Sequence, residues 1–346
     1  MKEICCAACV LFLCSSAFAA PLRSPWDALV PSPTATPFAC PAIAPLPRDI
    51  VAYDYYTDKR ASIPDPARFA AYRKAAAPFD RAMTDAEKAA DFYLKSGSQA
   101  AAACVLQLLD ANARGRALSG AMASNQSYYV QNWTLSALAV TYLKVRDSGA
   151  GTPAERSQIA HWMVQVARST QGYFNERRAK GAMSGRNNHL YWAGFAVMSA
   201  GIAADNRGLY NWGVGTYRDG IRQIAANGTL PLEMARGRRA LHYHIFAAEP
   251  LVTMAEFGEA NGQDLYAADH GALHRLVARC VSGLENNAWF AQQTGFPQDT
   301  PGPHATPFEV AWMRPYARRF PNPDIEKLLA QVDSLHIEFL GGDPPP

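Results

Sequence analysis

The sequence predicts an all-α protein, an α/α toroid in which paired helices surround a deep cleft. Apolar residues recur at intervals of three and four along most of the chain after Pro66, which is the period of a helix with one buried face. Gly and Asn mark short breaks between these segments, and short connections favour antiparallel helical hairpins. No segment shows the strict alternation of apolar and polar residues that indicates a half-buried strand.

The predicted helices follow one another closely along the chain. They cover residues 67–77, 85–95, 99–113, 134–144, 156–168, 192–204, 208–226, 240–259, 268–285, 307–316 and 324–336. We expect Pro250 to kink or split its helix, because proline removes a backbone donor. Roughly ten to twelve helices with short connections fit a toroid, and an irregular bundle or superhelix is the alternative architecture.

The N-terminus has the features of a secretory signal. Lys2 supplies a positive charge, an apolar segment follows, and residues 17–19 have the A-x-A pattern of a cleavage site. Residues 1–19 are therefore predicted to be a signal peptide, with lipidation at Cys9 or Cys14 as a less favoured alternative. The apolar segment is too short to span a membrane. We predict a periplasmic protein without a membrane anchor.

Residues 20–66 are predicted to form a Pro-rich arm with a candidate lid loop, and residues 67–340 to form the toroid domain. Three cysteines follow the predicted cleavage site, namely Cys40, Cys104 and Cys280. An oxidising compartment permits a disulfide, and a bond between Cys40 and Cys104 would tether the arm. Three buried thiols are the alternative.

The composition limits the class of partner. The chain has 346 residues, of which 49% are hydrophobic, enough for one large core or two small ones. Its formal net charge of +3, from 33 basic and 30 acidic side chains, is too small to indicate a nucleic-acid partner. Any basic field must be local to a cleft, and such a cleft suits an anionic polymer. We expect a monomer.

Two short segments concentrate polar and aromatic groups in a chain that is otherwise rich in Ala. They are Arg186-Asn187-Asn188-His189-Leu190-Tyr191-Trp192 and Arg236-Gly237-Arg238-Arg239-Ala240-Leu241-His242-Tyr243-His244. Their amide, imidazole, guanidinium and phenol groups can bind a sugar carboxylate and move a proton beside it. Both segments lack Asp and Glu, the usual pair of a glycosidase. This pattern favours elimination from a uronic acid polymer over hydrolysis of a neutral sugar.

The elimination removes the C5 proton of a uronate and expels the oxygen on C4. The carboxylate must first be neutralised, and each preset donor contributes about 3 kcal/mol; Asn188, His189 and Arg236 are suitable donors. Tyr243 can take the C5 proton and return it to the C4 oxygen, provided that neighbouring cations lower its pKa from about 10. Arg236 and Arg239 precede Tyr243 by seven and four residues, and spacing alone does not choose between them.

The chain resembles the periplasmic alginate (poly-mannuronate) lyases, which form polysaccharide lyase family 5. The resemblance rests on Asn187-Asn188-His189-Leu190-Tyr191-Trp192 and on Leu230-Pro231-Leu232-Glu233-Met234-Ala235-Arg236-Gly237-Arg238-Arg239-Ala240-Leu241-His242-Tyr243. It extends over most of the chain after the Pro-rich arm. It implies an incomplete α/α toroid, an anionic polysaccharide substrate, a mobile lid over the cleft, and no metal or other cofactor.

The resemblance also implies roles for individual residues. The implied catalytic residues are Asn188 and His189, which neutralise the carboxylate, Arg236, and Tyr243, which acts as base and acid. The candidate substrate-binding residues are Gln126, Tyr129, Trp133, Trp192, Arg239, His242, Tyr56 and Lys59. Among these, Trp133 would stack on a sugar face, and Tyr56 and Lys59 belong to the lid.

Leu190 departs from the family, which usually has a small hydroxyl residue after the motif histidine, so the preferred sugar stays open. Mannuronate and glucuronate differ only at C2, so polyglucuronate or hyaluronan could also be cleaved, whereas guluronate differs at C5 and should be poor. His242 could tune this choice, and at most one of His242 and His244 should share the face of Tyr243. The alternative functions are a non-catalytic polyuronate-binding protein and a glycoside hydrolase using Glu233 and Glu249.

Overall fold

The computed structural model describes residues 20–299 and 305–345, so the predicted signal peptide at 1–19 lies outside the described residues. The described α-helices are α1 (Pro66–Ser96), α2 (Gln99–Gly115), α3 (Asn125–Val145), α4 (Pro153–Ala179), α5 (Asn188–Ala203), α6 (Arg207–Ile221), α7 (Pro231–Met234), α8 (Ala240–Ala260), α9 (Ala268–Glu285), α10 (Ala288–Thr294), α11 (Pro307–Val310), α12 (Met313–Arg319) and α13 (Pro323–Leu329). Single turns of 3-10 helix lie at Pro25–Ala28, Met183–Gly185, Gly237–Arg239 and Glu338–Leu340. Extended pairing in this part of the chain is limited to isolated bridges.

The helices form two layers. Helices α1, α3, α5 and α8 contact one another in succession, and α2, α4, α6 and α9 pack against them. Helices α3, α5 and α8 are buried around nearly their whole circumference, as expected of helices that other helices enclose. Two clusters of buried apolar residues fill the space between the helices. The inner layer carries most of the side chains described below.

Pro250 does not split α8, so one of the two expected effects is excluded and a kink stays a prediction. Proline leaves the carbonyl four residues earlier without its helical donor, and here that carbonyl belongs to Phe246. The indole N–H of Trp192 donates to this oxygen at 2.9 Å. A side chain of α5 therefore satisfies the backbone group that Pro250 leaves free in α8.

Other helix boundaries also differ from the prediction. The two helices predicted over 67–77 and 85–95 are one helix that continues through Pro78. Lys74, four residues before this proline, is exposed, so water can bond its carbonyl. The helix predicted over 324–336 ends at Leu329. No helix in the described part is long and apolar enough to cross a membrane.

The arm is tied to the helical body. A disulfide joins Cys40 to Cys104 on α2, which decides between the two alternatives, and Cys280 is a buried free thiol. Further along, the backbone N–H of Leu46 donates to Asn112 at 2.8 Å. The backbone of Ile50 pairs with the segment that precedes α3. The disulfide and these hydrogen bonds therefore hold the arm to the helical body before it reaches the cleft.

The last described segment returns to the inner layer. We call residues 336–343 the C-terminal clasp. Lys144 of α3 has a fully buried side chain whose ammonium donates to Asp91, to the carbonyl of Gly341 at 2.6 Å and to that of Asp343 at 2.9 Å. These bonds hold the clasp against α1 and α3.

Candidate active site

A cavity of about 870 Å³ lies among the inner helices, the lid loop and the C-terminal clasp. Ten of the residues singled out from the sequence line it. They are Tyr56, Lys59, Gln126, Tyr129, Trp133, His189, Arg236, Arg239, His242 and Tyr243. The other two, Asn188 and Trp192, do not. Side chains that lie up to 187 residues apart in the chain therefore share one cavity.

A turn at Gly237 determines how Arg236 meets Tyr243. Gly237 has φ of +61°, a conformation that glycine adopts readily, and the 3-10 turn that it begins leads into α8 at Ala240. Arg236 therefore precedes the helix, but its guanidinium carbon lies 3.4 Å from the centroid of the Tyr243 ring. The guanidinium carbon of Arg239 is 5.2 Å from the same centroid. Arg236 is the closer of the two arginines.

The candidate lid loop, residues 53–66, contacts Arg236. The guanidinium donates from Nε to the carbonyl of Arg60 at 2.6 Å and from Nη2 to that of Ala61 at 2.8 Å. Its Nη1 lies 4.0 Å from a carboxylate oxygen of Glu233. Arg236 therefore lies against the candidate lid loop, Glu233 and the ring face of Tyr243.

Three polar groups form a chain at the phenol of Tyr243. The hydroxyl of Tyr243 is 2.7 Å from that of Tyr56, and the guanidinium of Arg239 donates to the Tyr56 hydroxyl. Tyr56 comes from the lid, whereas Arg239 and Tyr243 come from the start of α8. The predicted lid residue thus contacts the predicted base directly.

The neighbouring cations do not lower the pKa of Tyr243 overall, which corrects the expectation from the sequence. Burial raises its pKa above the usual value, and the opposing effects of Arg236 and Arg239 are smaller. Arg238 does not lower the pKa of Tyr243, because its exposed guanidinium forms an ion pair with Asp299 at 2.8 Å instead. The cleft without substrate therefore holds Tyr243 as a phenol.

The two histidines beside Tyr243 face different environments, as predicted. His242 lines the cavity and stacks on Phe308, with ring centroids 5.2 Å apart. His244 is fully buried, where its Nε2 accepts from the backbone N–H of Leu230 at 2.9 Å and its Nδ1 donates to the carbonyl of Ala240 at 2.7 Å. Burial lowers the pKa of both rings, so neither is a cation at neutral pH.

The first turn of α5 points into the cavity. The side chain of Asn187 caps this helix by accepting from the N–H of His189 at 3.2 Å, and both residues line the wall. The imidazole of His189 stacks on Tyr129 at 3.7 Å. Burial, reinforced by Arg236, lowers the pKa of His189 to about 3, and its Nδ1 has no partner in the described part of the chain. A neutral imidazole and the positive end of a helix dipole therefore meet there.

Asn188 lies behind the wall rather than on it. It is fully buried, and its backbone N–H and side-chain amide both donate to Glu233 at 2.9 Å. A direct bond to a sugar carboxylate stays a prediction and needs a shift of the wall. Glu233 is a residue whose role the sequence did not reveal, since it joins the Asn188 segment to Arg236.

The predicted sugar contact of Trp192 is excluded in this structure, and that of Trp133 is limited. Trp192 is 0% exposed and serves α8 as described above, so it offers no surface to a sugar in this structure. Trp133 does line the wall, but the ring of Phe339 lies parallel to it at 4.9 Å. That face of Trp133 is therefore not open to a sugar.

One group of side chains could hold a metal ion among the described residues, and it lies between α1 and the clasp rather than in the cavity. It consists of Asp91, His336 and Asp343. The ammonium of Lys144 already donates to Asp91, so a cation is in place. Nothing in this arrangement connects a metal to the cavity.

Several wall residues carried no signal in the sequence. Arg177 at the end of α4 and Arg73 on α1 are basic, whereas Phe308 and Phe339 are apolar. None belongs to a motif, and only their meeting in the folded chain reveals them. A terminal arginine on a helix is too common to be singled out from sequence.

Comparisons with known proteins identify the family of the chain. The sequence model of the family described as alginate lyase matches residues 49–290. A polysaccharide lyase of Stenotrophomonas maltophilia (strain K279a) is 40% identical over 88% of this chain and 89% of that protein. An alginate lyase of Azotobacter vinelandii is 29% identical over 88% of this chain and 83% of its own length.

Solved structures support the architecture. Alginate lyase A1-III from Sphingomonas species A1 superposes with a TM-score of 0.71 at 23% identity, covering 94% of this chain and 90% of that one. An alginate lyase from Bacteroides ovatus gives a TM-score of 0.59 at 17% identity, covering 82% and 80%. Both likenesses concern the fold, and the predicted α/α toroid is confirmed. From the family match and the relative at 40% identity, the chain belongs to the alginate lyase family and is a polysaccharide lyase.

Proposed function

We propose that this lyase cleaves β-1,4-linked polyuronates by metal-independent syn β-elimination, with Tyr243 as base and acid. Polymannuronate is the first candidate substrate, and polyglucuronate and hyaluronan are further ones. The observation that carries the proposal is the meeting of three groups in one cavity: the Tyr243 phenol, the Arg236 guanidinium and the first turn of α5. The name of the relative at 29% identity, alginate lyase, supports a polyuronate substrate, and that of the relative at 40% identity supports a polysaccharide.

The charges of the cavity favour an anionic polymer. Its basic side chains are Lys59, Arg60, Arg73, Arg177, Arg236 and Arg239, and its acidic ones are Asp54, Asp58, Asp299 and Glu309. Three of the acidic groups are engaged nearby: Asp58 with backbone N–H groups of its own loop, Asp299 with Arg238, and Glu309 in the cap of α11. The basic groups of the wall therefore outnumber the free acidic ones.

The start of α5 would bind the sugar carboxylate. The imidazole of His189 is neutral and can donate a hydrogen bond without adding a charge. The helix dipole favours an anion at the same end. The N–H groups of Asn188 and His189 already bond Glu233 and Asn187, so the imidazole is the donor that this end offers to a sugar. Arg236 adds a full positive charge beside them. Together they would stabilise the enolate that forms when the C5 proton leaves.

The proton would move through the Tyr243 phenol. Tyr243 starts protonated and must first pass its proton, through the Tyr56 hydroxyl at 2.7 Å, to solvent water. Arg236 above the ring and Arg239 through Tyr56 stabilise the phenolate. The phenolate takes the C5 proton and then gives it to the C4 oxygen as the bond from C4 to that oxygen breaks. A C4–C5 double bond remains in the product.

Hydrolysis has less support. A hydrolase needs two carboxyl groups that face each other across the bond. Glu233 is bonded to Asn188, and Glu249 is fully buried in α8 away from the wall. Hydrogen bonds from its own loop lower the pKa of Asp58 to about 2, which does not suit a general acid.

Tyr243→Phe tests the proposal and also separates the lyase from a non-catalytic binding protein. Turnover of polymannuronate, followed by the near-ultraviolet absorbance of the unsaturated product, should fall about 1,000-fold because the acid–base group is lost. Binding of the polymer, measured by calorimetry, should persist. Tyr210→Phe is a matched control, since its buried hydroxyl has no partner among the described residues. If wild-type protein gave no absorbance on any of the three polymers, the proposal would be wrong.

We also propose that the protein is periplasmic. The signal-like N-terminus predicts export, and the disulfide between Cys40 and Cys104 is typical of an oxidising compartment. Cell fractionation with sequencing of the mature N-terminus would test this. A full-length cytoplasmic protein with free thiols at both positions would contradict it.

A further inference from the structure

Phe339 occupies the place where a sugar would stack on the active-site tryptophan. Its ring lies parallel to Trp133, with an interplanar angle of 6° and a centroid distance of 4.9 Å, and it lines the cavity. A pyranose between the two rings would need about 7–8 Å, which is twice the contact distance of carbon atoms. The two rings therefore leave no room for a sugar between them.

The position of Phe339 is built into the fold. Ser136 of α3 donates from its hydroxyl to the carbonyl of Phe339 at 2.9 Å, and Lys144 holds the following residues as described above. Gly341 has φ of +80°, and a Cβ there would lie 2.5 Å from the Cβ of Val140. The clasp thus fits tightly on α3, which also carries Trp133. Both rings are positioned by one helix.

The clasp also lies outside residues 49–290, the part of the chain that the family model matches. The reacting groups Tyr243, Arg236 and His189 all lie inside that part. The family motifs therefore account for the chemistry of the cleft but not for the wall that Phe339 adds. That wall is a feature through which this chain can set the length of polymer that it binds.

We propose that Phe339 is a specificity-determining residue that closes the sugar position on the face of Trp133. The cleft accordingly binds one sugar unit fewer on that side than Trp133 alone would allow. This inference rests on the proposed polyuronate substrate. It concerns how many sugars the cleft binds and not how the bond is broken.

Binding measured without turnover tests the inference. In the Tyr243→Phe background, calorimetry with mannuronate oligosaccharides from the disaccharide to the hexasaccharide gives affinity as a function of length. Phe339→Ala exposes the indole face, so the length at which affinity stops rising should increase by one sugar. Stacking on the freed ring should improve the affinity for the longest oligosaccharide about three- to tenfold. Phe339→Leu, which keeps more apolar volume for folding, should shift the affinity less but in the same direction.

Phe320→Ala is the matched control. Phe320 is also a partly buried aromatic of the C-terminal part, but it packs on Tyr266 and His274, away from the cavity. It should leave the length dependence unchanged. A Phe339→Ala variant with the same length dependence as its parent would overturn the inference, and so would a loss of affinity that is equal at every length. If the protein with Phe339 intact bound none of the oligosaccharides, the proposed substrate itself would fail along with the inference.

Discussion

Trp192→Phe should destabilise the protein largely through one backbone carbonyl. The indole N–H of Trp192 is the donor to the carbonyl of Phe246, which Pro250 leaves without its helical partner. Phenylalanine has no such donor, and both residues around the bond are buried. A buried carbonyl without a partner costs about 1–3 kcal/mol. The lost part of the indole adds a packing cost that does not depend on Pro250.

The two effects can be separated in a double-mutant cycle. Pro250→Ala restores a backbone N–H that can donate to Phe246 within α8. In that background Trp192→Phe should cost about 1–2 kcal/mol less than in the wild type, because the carbonyl keeps a donor while the packing loss stays the same. The free energies of unfolding of the four proteins come from urea titrations followed by circular dichroism.

Trp162→Phe is the matched control for this cycle. Its indole N–H also donates to a buried carbonyl, that of Ala117 at 2.8 Å, but this carbonyl has no connection with Pro250. Its cost should be the same in both backgrounds. If the effects of Trp192→Phe and Pro250→Ala added within about 0.3–0.5 kcal/mol, the indole would not be replacing the donor that proline lacks.

Two further predictions concern the arm and the clasp. Replacing Cys40 and Cys104 with Ser opens a loop with a sequence separation of 64 residues, so the free energy of unfolding should fall by about 4 kcal/mol, and an unchanged urea midpoint would contradict this. Hydrogen bonds to Asp91 and Glu87 raise the pKa of His336 to about 10, above its usual value near 6.5. The free energy of unfolding that His336 contributes is fully present below the pKa of an unfolded histidine, near 6.5, and is lost as the pH rises through about 10. His336→Gln should therefore weaken the dependence of the thermal melting temperature on pH over that range.

The sequence predicted the features that depend on local pattern. The period of three and four residues predicted the helices, and the two segments around His189 and Tyr243 supplied the candidate catalytic groups of the cavity. It could not choose between Arg236 and Arg239, because the choice depends on the turn at Gly237. It also placed Trp192 on the sugar, since a motif shows which residues are adjacent but not which of them face the core.

The roles of residues that act through tertiary contacts could not be predicted from the sequence. Glu233 precedes the second segment and bonds the first, and no spacing along the chain indicates that pairing. Phe339 lies in a C-terminal segment without a motif, and its role depends on Lys144 holding the clasp. The raised pKa of Tyr243 likewise depends on how deeply the fold buries the ring, which sequence neighbours do not reveal.

The bonds of Arg236 separate two tasks that the motif assigns together. Its Nε and Nη2 donate to the lid carbonyls of Arg60 and Ala61, and its guanidinium carbon lies 3.4 Å from the centroid of the Tyr243 ring. With those donors occupied, we infer that Arg236 acts on the phenol and on the enolate through its charge, and that His189 supplies the hydrogen bond to the sugar carboxylate. Lid closure would then bring Tyr56 to the Tyr243 hydroxyl at the same moment as it fixes the cation above the ring. Closure and activation of the base would be one event.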